Sequence, residues 1–187
     1  SGIGEAAAIR IAEAGGKVLI VARDADKLAE VRKKIVDAGG FVKTYSCDIT
    51  DYAACDKLAK DVLKEFGHVD VLVNNAGRSI RRSLALSYDR FHDFERTMQL
   101  NYFACVRLTM NLLPSMTARK SGHVINVSSI GVLTNAPRFS AYVASKAALE
   151  SFARCAASEF HDEGVHFTII NMPLVRTPMI APTKMYE

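Results

Sequence analysis

The feature that most constrains the fold is a regular alternation between short apolar runs and longer segments of helical character. Each apolar run, such as residues 17–22, is rich in β-branched residues, which is typical of a strand buried on both faces of a parallel sheet. The segments between them have helical spacing of apolar residues and end at glycines. Each unit of one strand and one helix spans about 30 residues, which favours parallel strands with right-handed crossovers. The sequence therefore predicts an α/β fold with a doubly wound parallel sheet.

The alternation predicts the elements in some detail. We expect strands at residues 17–22, 41–46, 69–74, 123–127 and 165–171, and helices at 4–14, 26–38, 51–66, 88–119 and from about 140 to 163. Asp26 is expected to cap the second helix, and Pro114 to kink the fourth or to lie near its end. Residues 128–138 are expected to form a loop. We expect a single dinucleotide-binding domain over residues 1–187.

Composition excludes several classes of function. The chain has 187 residues, 49% of them hydrophobic and 24% charged, which is the profile of a globular domain. No apolar run approaches the roughly 20 residues of a membrane span, and no leader of the secretory type is visible, so we expect a cytoplasmic protein. The charge of +4 is scattered, which argues against a nucleic-acid partner. The four cysteines and five histidines lack ligand spacing, so we expect buried thiols and no metal.

Tyr142 and Lys146 are the first candidates for chemistry. Their spacing of four places both side chains on one face of a predicted helix. An ammonium group beside a phenol favours the phenolate, so Lys146 is expected to lower the pKa of Tyr142 from its ordinary value of about 10. The phenol could then act as a general acid or base. The same spacing is common on solvated helix faces, so the pair alone does not decide.

The first four residues have the composition of a glycine-rich turn that leads into a helix. In nucleotide-binding folds such a turn follows a strand and directs a helix N-terminus at phosphate. No strand precedes the turn in this sequence, and the last residues lie in a predicted loop. We therefore expect the sequence to be part of a longer protein. An ordinary turn is the alternative.

Five motifs occur in order and carry a resemblance. They are Ser1-Gly2-Ile3-Gly4, Asn74-Asn75-Ala76-Gly77, Asn101, Ser129, and Tyr142 with Lys146. In this combination the sequence resembles the classical short-chain dehydrogenase/reductase family over essentially the whole chain. The resemblance implies a Rossmann-type fold that lacks its first strand and its C-terminal end in the sequence given. It also implies a hydride transfer between a nicotinamide and a carbonyl or alcohol substrate.

The resemblance implies catalytic roles for four residues. Tyr142 would be the acid or base, Lys146 would lower its pKa and bind the ribose, and Ser129 would bind the substrate oxygen. Asn101 would hold a water molecule of a proton relay. Two of these residues have other interpretations, since Ser129 could simply cap a loop and Asn101 could simply bend its helix.

The resemblance also implies a set of cofactor-binding residues along the chain. Those expected to contact the cofactor besides the tyrosine and lysine are Ser1, Gly2, Ile3, Gly4, Asp48, Ile49, Asn75, Ala76, Gly77, Pro173, Val175 and Thr177. The first four would face the pyrophosphate, Asp48 and Ile49 the adenine, and Val175 and Thr177 the nicotinamide carboxamide. Asp48 could instead cap the next turn. The sequence departs from the family at Met172-Pro173, where a Pro-Gly pair is usual, which leaves the local backbone path open.

Arg23 bears on the choice of nicotinamide. Dinucleotide folds read the adenosine ribose at the end of the second strand, with an acidic residue for NAD or an arginine for NADP. Here Ala22 occupies the expected acidic position and Arg23 follows it. We therefore expect NADP(H), with a solvated arginine as the alternative.

Substrate and assembly rest on weaker signals. Residues 130–140 and 172–179 resemble the branch that includes bacterial long-chain acyl-CoA reductases, which implies an acyl-CoA or fatty aldehyde substrate. Arg81 and Arg82 are expected to bind a phosphate of coenzyme A or phosphopantetheine, although a solvated basic loop is equally plausible. The family's four-helix interface implies a homodimer or homotetramer through Ala104, Leu108, Ala148 and Ala156. A dehydratase or epimerase, or a non-catalytic domain of a multidomain protein, are alternative functions.

Overall fold

A computed structural model describes residues 1–180 of the chain. The described residues form two compact units, one of Ser1–Asp48 with the residues from Val175 onward, and one of Ile49–Leu174. Strands and helices alternate along the chain, and all pairs of neighbouring strands in both units are parallel. The predicted α/β fold with parallel strands is confirmed.

The first unit contains two strands and two helices. Helix α1 covers Gly2–Glu13, strand β1 covers Val18–Ala22, helix α2 covers Ala25–Asp37 and strand β2 covers Val42–Ser46. Apolar side chains of all four elements meet in one core, because both helices turn their small or branched residues inward. The members of this core are Ala8, Ala12, Val18, Val31, Ile35 and Val42.

The second unit is built on a three-stranded sheet in the order β3, β4, β5. These strands cover Val71–Asn74, Gly122–Ser129 and Val165–Met172, and the helices are α3 at Tyr52–Phe66, α4 at His92–Met98, α5 at Ala104–Ala118, α6 at Ile130–Thr134 and α7 at Ser140–Glu159. A π-helical turn at Gln99–Phe103 joins α4 to α5, and short 3₁₀ turns occupy Leu84–Leu86 and His161–Glu163. Helices α3 and α5 bury apolar side chains against the sheet, where Leu72, Leu112, Met116 and Val124 meet.

Several predicted boundaries are wrong. The cap of α2 is Asp24, whose carboxylate accepts from the Lys27 amide at 3.1 Å, rather than Asp26. The helix expected over residues 88–119 begins at His92 and is interrupted by the π-helical turn. Strand β4 extends through Ser129, and α6 lies in the segment that was expected to be a loop. Pro114 lies inside α5, which continues to Ala118.

Three expectations from composition concern membrane spans, metal sites and buried thiols. Within residues 1–180, no helix combines the length and the hydropathy that crossing a bilayer requires. In the same range, no cluster of three or more His, Cys, Asp or Glu could hold a metal ion. Cys55 and Cys105 are buried, as expected, but Cys155 is exposed, so the expectation of four buried thiols is wrong for that residue.

Candidate active site

Ser129 and Tyr142 come together at the carboxyl end of β4. Ser129 is the last residue of β4 and the N-cap of α6, and its hydroxyl accepts from the Gly131 amide at 3.1 Å. Tyr142 lies in the first turn of α7, and the Ser129 hydroxyl is near enough to its phenol to lower the pKa of the phenol. Two hydroxyl groups from different elements therefore meet at one point, where both can contact the same substrate oxygen.

The environment of Tyr142 makes its phenol a weaker acid than usual. Burial raises the pKa of the phenol above its ordinary value, and the hydrogen bond from Ser129 opposes this only in part. The shift is opposite in direction to the one predicted from the Tyr-x-x-x-Lys spacing, because burial outweighs the stabilisation of the phenolate. In the protein without ligands, the phenol is therefore a proton donor at neutral pH.

Lys146 is buried one helical turn beyond Tyr142. Its side chain is only 4% exposed, and its ammonium donates to the Val127 carbonyl at 2.7 Å. Burial lowers the pKa of this lysine, because the charged form loses hydration. An ammonium group has three N–H donors, so the bond to Val127 leaves it able to donate to a ligand as well.

Asn101 is fully buried in the π-helical turn between α4 and α5. Its amide oxygen accepts from the Arg78 amide at 2.8 Å, and its amide nitrogen donates to the Arg78 carbonyl at 2.8 Å and to the Ser145 hydroxyl at 2.9 Å. Ser145 in turn donates to the Tyr142 carbonyl at 2.7 Å. Asn101 therefore joins the segment after β3 to the helix that carries Tyr142.

Gly77 lies beside both Asn101 and Lys146. A Cβ atom at this position would be 3.4 Å from the Asn101 amide oxygen and 3.5 Å from the Lys146 ammonium nitrogen. A larger side chain would therefore occupy the space next to the ammonium group. Asn75 and Ala76 precede this glycine at the end of β3, where the Asn75 amide donates to the Val73 carbonyl at 3.0 Å. The missing side chain and the lysine donors fit the ribose of a nicotinamide nucleotide.

The glycine-rich turn of the first unit brings Gly2 against Thr177. Gly2 has a φ of +62°, and a Cβ atom there would lie 3.2 Å from the Thr177 methyl carbon. A side chain at this position is disfavoured both by the backbone conformation and by the threonine. Ser1 is the N-cap of α1, while Ile3 and Gly4 lie in its first turn, so the main-chain N–H groups of this turn have no partner within the helix, as a phosphate site requires.

The residues expected to read the adenosine lie at the ends of β1 and β2. The Arg23 guanidinium is 3.8 Å from the Asp48 carboxylate, and the two side chains are 66% and 43% exposed. Such an exposed, loose ion pair contributes little energy, so it leaves the guanidinium available to a ligand. Asp24 is used as the cap of α2 and in an ion pair with Lys27 at 3.0 Å.

Three further predicted residues lie outside regular elements. Ile49 follows Asp48 at the start of the second unit, and Pro173 follows the end of β5. Val175 belongs to the first unit and precedes a turn in which the Ile180 amide donates to the Thr177 carbonyl at 3.1 Å. Residues 181–187 lie outside the described part of the chain.

A buried carboxylate organises the arginines of the second unit. Burial alone would raise the pKa of Asp93, but the hydrogen bond from Arg90 and the charges of the nearby arginines hold it below its usual value. Arg82 takes part in this cluster, with its Nε atom 3.3 Å from the Asp93 carboxylate, and Arg96 donates to the same group. Asp93 therefore engages Arg82 in part, and the binding of a phosphate by Arg82 stays a prediction.

Sequence reasoning missed four polar residues around this site: Asp93, Ser145, Glu150 and Asn171. A buried carboxylate on α7, Glu150, accepts from the Ser128 hydroxyl and from the Asn171 amide. The spacing of four residues between Lys146 and Glu150 could have indicated that both lie on one helix face. Asn171 offered no signal, because its partners are distant in sequence, and the burial of Asp93 and Ser145 depends on tertiary packing.

Comparison with known proteins identifies the family of this chain. The family model described as short chain dehydrogenase matches residues 1–186. The chain belongs to the short-chain dehydrogenase family. Members of this family are oxidoreductases that use nicotinamide cofactors.

One curated relative and two solved structures illustrate the likeness. A protein of Acinetobacter baylyi named fatty acyl-CoA reductase is 59% identical over 187 residues, with all of this chain and 63% of that protein covered. A metagenomic short-chain oxidoreductase in complex with NADP is 33% identical, with 91% of this chain and 77% of that chain covered and a TM-score of 0.86. An NAD⁺-bound xylitol dehydrogenase is 24% identical, with 92% and 66% covered and a TM-score of 0.87, and shows the fold alone. The chain thus spans less than two thirds of the curated relative.

Proposed function

We propose that this chain reduces a carbonyl group with a nicotinamide cofactor and that Tyr142 donates the proton. The observation that supports this most directly is that the Tyr142 phenol lies beside the Ser129 hydroxyl and has its pKa raised by burial. When bound, the nicotinamide supplies the hydride. A phenol that keeps its proton at neutral pH suits the reductive direction, in which the developing alkoxide takes up a proton.

Each of the other site residues has a role in this proposal. Ser129 donates a hydrogen bond to the substrate oxygen and so increases the positive charge on the carbonyl carbon. Lys146 holds the nicotinamide ribose with the ammonium donors that Val127 does not use, and its charge favours the phenolate as the proton leaves Tyr142. Both side-chain N–H groups of Asn101 are already bonded, so a relay water would donate to its side-chain oxygen or to its main-chain carbonyl oxygen.

The preferred cofactor in this proposal is NADP(H). Arg23 is exposed at the end of β1, and its ion pair with Asp48 is long. A 2′-phosphate would accept charge-assisted hydrogen bonds from the guanidinium, each worth about 1.5–3 kcal/mol. The related structure that contains NADP supports this choice. The turn of Ser1–Gly4 would hold the pyrophosphate, and Asp48 with Ile49 the adenine.

The proposed substrate is a long-chain fatty acyl thioester or the corresponding aldehyde. The name of the Acinetobacter relative supports this class. The segment between β3 and α4 also exposes several large apolar side chains in a short stretch, which suits contact with an alkyl chain. They are Leu84, Leu86, Tyr88 and Phe91, with exposures of 60%, 67%, 88% and 71%. Arg81 and Arg82 are the proposed contacts for a phosphate of the thioester, with Arg82 also 3.3 Å from the Asp93 carboxylate.

Consumption of NADPH with a long-chain aldehyde tests the proposed function. The whole protein is compared with Tyr142→Phe, which removes only the phenol oxygen, and the rate should fall by about 10²–10⁴-fold. Tyr52→Phe is the matched control, because Tyr52 is exposed at the start of α3, has no role in the proposed site and should keep the original rate. Full activity in Tyr142→Phe would exclude Tyr142 as the proton donor. Bound cofactor without net turnover would favour a dehydratase or epimerase.

A further inference from the structure

Glu150 is a buried carboxylate directly behind the proposed catalytic residues. It lies on α7 four residues after Lys146 and eight after Tyr142, so the three side chains follow one face of the helix. Its side chain is buried, with 4% of the residue exposed. It does not contact the Ser129 hydroxyl or the Tyr142 phenol, and the roles proposed above do not use it.

The carboxylate connects α7 to the ends of two neighbouring strands. Its Oε1 atom accepts from the Ser128 hydroxyl at 2.5 Å and from the Asn171 amide at 2.7 Å. Ser128 and Asn171 face each other in the register of β4 and β5. Asn171 also donates to the Ser129 carbonyl at 3.2 Å. The network therefore contacts the main chain of the residue whose hydroxyl meets Tyr142.

Stability alone does not account for a carboxylate at this position. Burial of a charged group is costly, and a well-packed apolar side chain of similar volume often leaves a protein equally stable. Among residues 1–180, the cation paired with Glu150 is Arg154, whose Nη1 atom is 3.4 Å from Oε2 and whose side chain is 62% exposed. Such a partly solvated pair offsets little of the cost. What the carboxylate provides is fixed geometry, since one oxygen orients two donors from adjacent strands.

We infer that Glu150 is a positioning residue that fixes the Ser129 hydroxyl relative to Tyr142 through Ser128 and Asn171. The inference rests on the proposed function, because it assigns Glu150 to the same reaction. An error of about 1 Å in the placement of a reacting group can reduce the rate by about 10²-fold. The expected signature is a loss of kcat with little change in cofactor affinity, since the carboxylate of Glu150 bonds to Ser128, Asn171 and Arg154, none of which is proposed to bind the nucleotide.

Two substitutions of Glu150 separate its hydrogen bonds from its volume. Glu150→Leu fills the space without an acceptor and should reduce kcat for carbonyl reduction by about 10–100-fold. Glu150→Gln keeps one carbonyl oxygen for Ser128 and Asn171 and should restore kcat to within about threefold of the original. The dissociation constant of NADPH, measured by its fluorescence in the whole protein, should change little in both variants.

Other variants distinguish positioning from a general loss of structure. Asn171→Ala breaks the same network from β5 and should lower kcat as Glu150→Leu does, whereas Arg154→Ala removes only the exposed partner and should leave kcat nearly unchanged. Equal kcat in Glu150→Leu and the original protein would overturn the inference, as would an equal loss in Glu150→Gln. If Tyr142→Phe also remained fully active, the proposed function itself would fail. Activity lost in Tyr142→Phe but kept in Glu150→Leu would refute the positioning role alone.

Discussion

At the scale of single residues, the titration of Tyr142 gives the first prediction. Its phenol should ionise above the ordinary value of about 10 in the protein without ligands, because burial raises its pKa. The folded protein then keeps a proton that the unfolded chain has lost, so this residue's contribution to stability is present below about pH 10 and is lost as the pH rises through the raised pKa.

An absorbance titration of tyrosinate measures this shift. The difference between the original protein and Tyr142→Phe isolates one phenol among six tyrosines. Ser129→Ala should move its pKa still higher, because the hydrogen bond from Ser129 lowers it. A phenol that titrates below 10 in the free protein would contradict the account and would favour the effect first predicted for Lys146.

Arg23 gives a second prediction at the same scale. Arg23→Ala should weaken NADPH binding selectively and leave NADH nearly unchanged, because only the phosphorylated cofactor needs the guanidinium. We expect the original protein to prefer NADPH by at least about tenfold in kcat/KM, which corresponds to ~1.4 kcal/mol.

The matched control for Arg23 is its ion-pair partner. Asp48→Asn removes the carboxylate 3.8 Å from the guanidinium and should preserve or increase the preference for NADPH, while any loss of adenine contact affects both cofactors equally. A native preference for NADH, or equal losses for both cofactors in Arg23→Ala, would show that Arg23 does not read the phosphate.

Single-residue predictions from the sequence are best founded where the signal is local. The hydrogen-bonded contact of Ser129 with Tyr142 lies on elements whose motifs could be read in sequence order. The ion pair between Arg82 and Asp93 could not be predicted, because nothing in the sequence shows that the loop with Arg81 and Arg82 folds onto the start of α4. The raised pKa of Tyr142 was missed for a similar reason, since burial depends on tertiary packing.

At the scale of elements, the π-helical turn at Gln99–Phe103 has a definite function in the fold. Asn101 lies inside it and forms a two-point contact with the Arg78 main chain. Asn101→Ala should lower the free energy of unfolding by about 1–3 kcal/mol, because it leaves main-chain groups of Arg78 without their partner. Denaturant unfolding measures this change.

A conservative variant at the same position provides the control. Asn101→Asp keeps an acceptor for the Arg78 amide but loses the two donors, so it should also be destabilised. Asn111→Ala removes an amide on α5 that donates to Asp56 at 2.8 Å, away from the site, and should lower stability without the same effect on hydride transfer. Unchanged stability in Asn101→Ala would contradict the structural role of the turn.

Element boundaries show what periodicity can and cannot predict. The apolar runs located the five described strands, because buried parallel strands are continuously apolar. The π-helical turn was missed, because it interrupts the helical spacing by one residue over a single turn. The end of β4 was missed because Ser128 and Ser129 resemble a loop, although their pairing with β5 and the Glu150 network satisfy their polar groups.

At the scale of the whole molecule, self-association through α5 and α7 stays a prediction. Ala104 and Ala156 are buried within the unit, so those two residues do not lie on an exposed face as the sequence suggested. The exposed apolar residues at the start and middle of α5 are Phe103 and Met110, with exposures of 46% and 60%. Light scattering of the original protein should show a dimer or tetramer, and Met110→Lys should shift it towards monomer. A monomer at micromolar concentration in the original protein would contradict this prediction.

The central claim is that Tyr142 supports a hydride transfer from the nicotinamide to a substrate carbonyl. The most direct measurement uses NADPH that carries deuterium at both positions of C4. It is incubated with a long-chain aldehyde in ordinary water, and the alcohol is analysed by mass spectrometry. We predict one deuterium on the former carbonyl carbon, formed about 10²-fold or more slowly by Tyr142→Phe than by the original protein or by Tyr52→Phe. An alcohol without the label, or labelled alcohol formed by Tyr142→Phe at the original rate, would contradict the account.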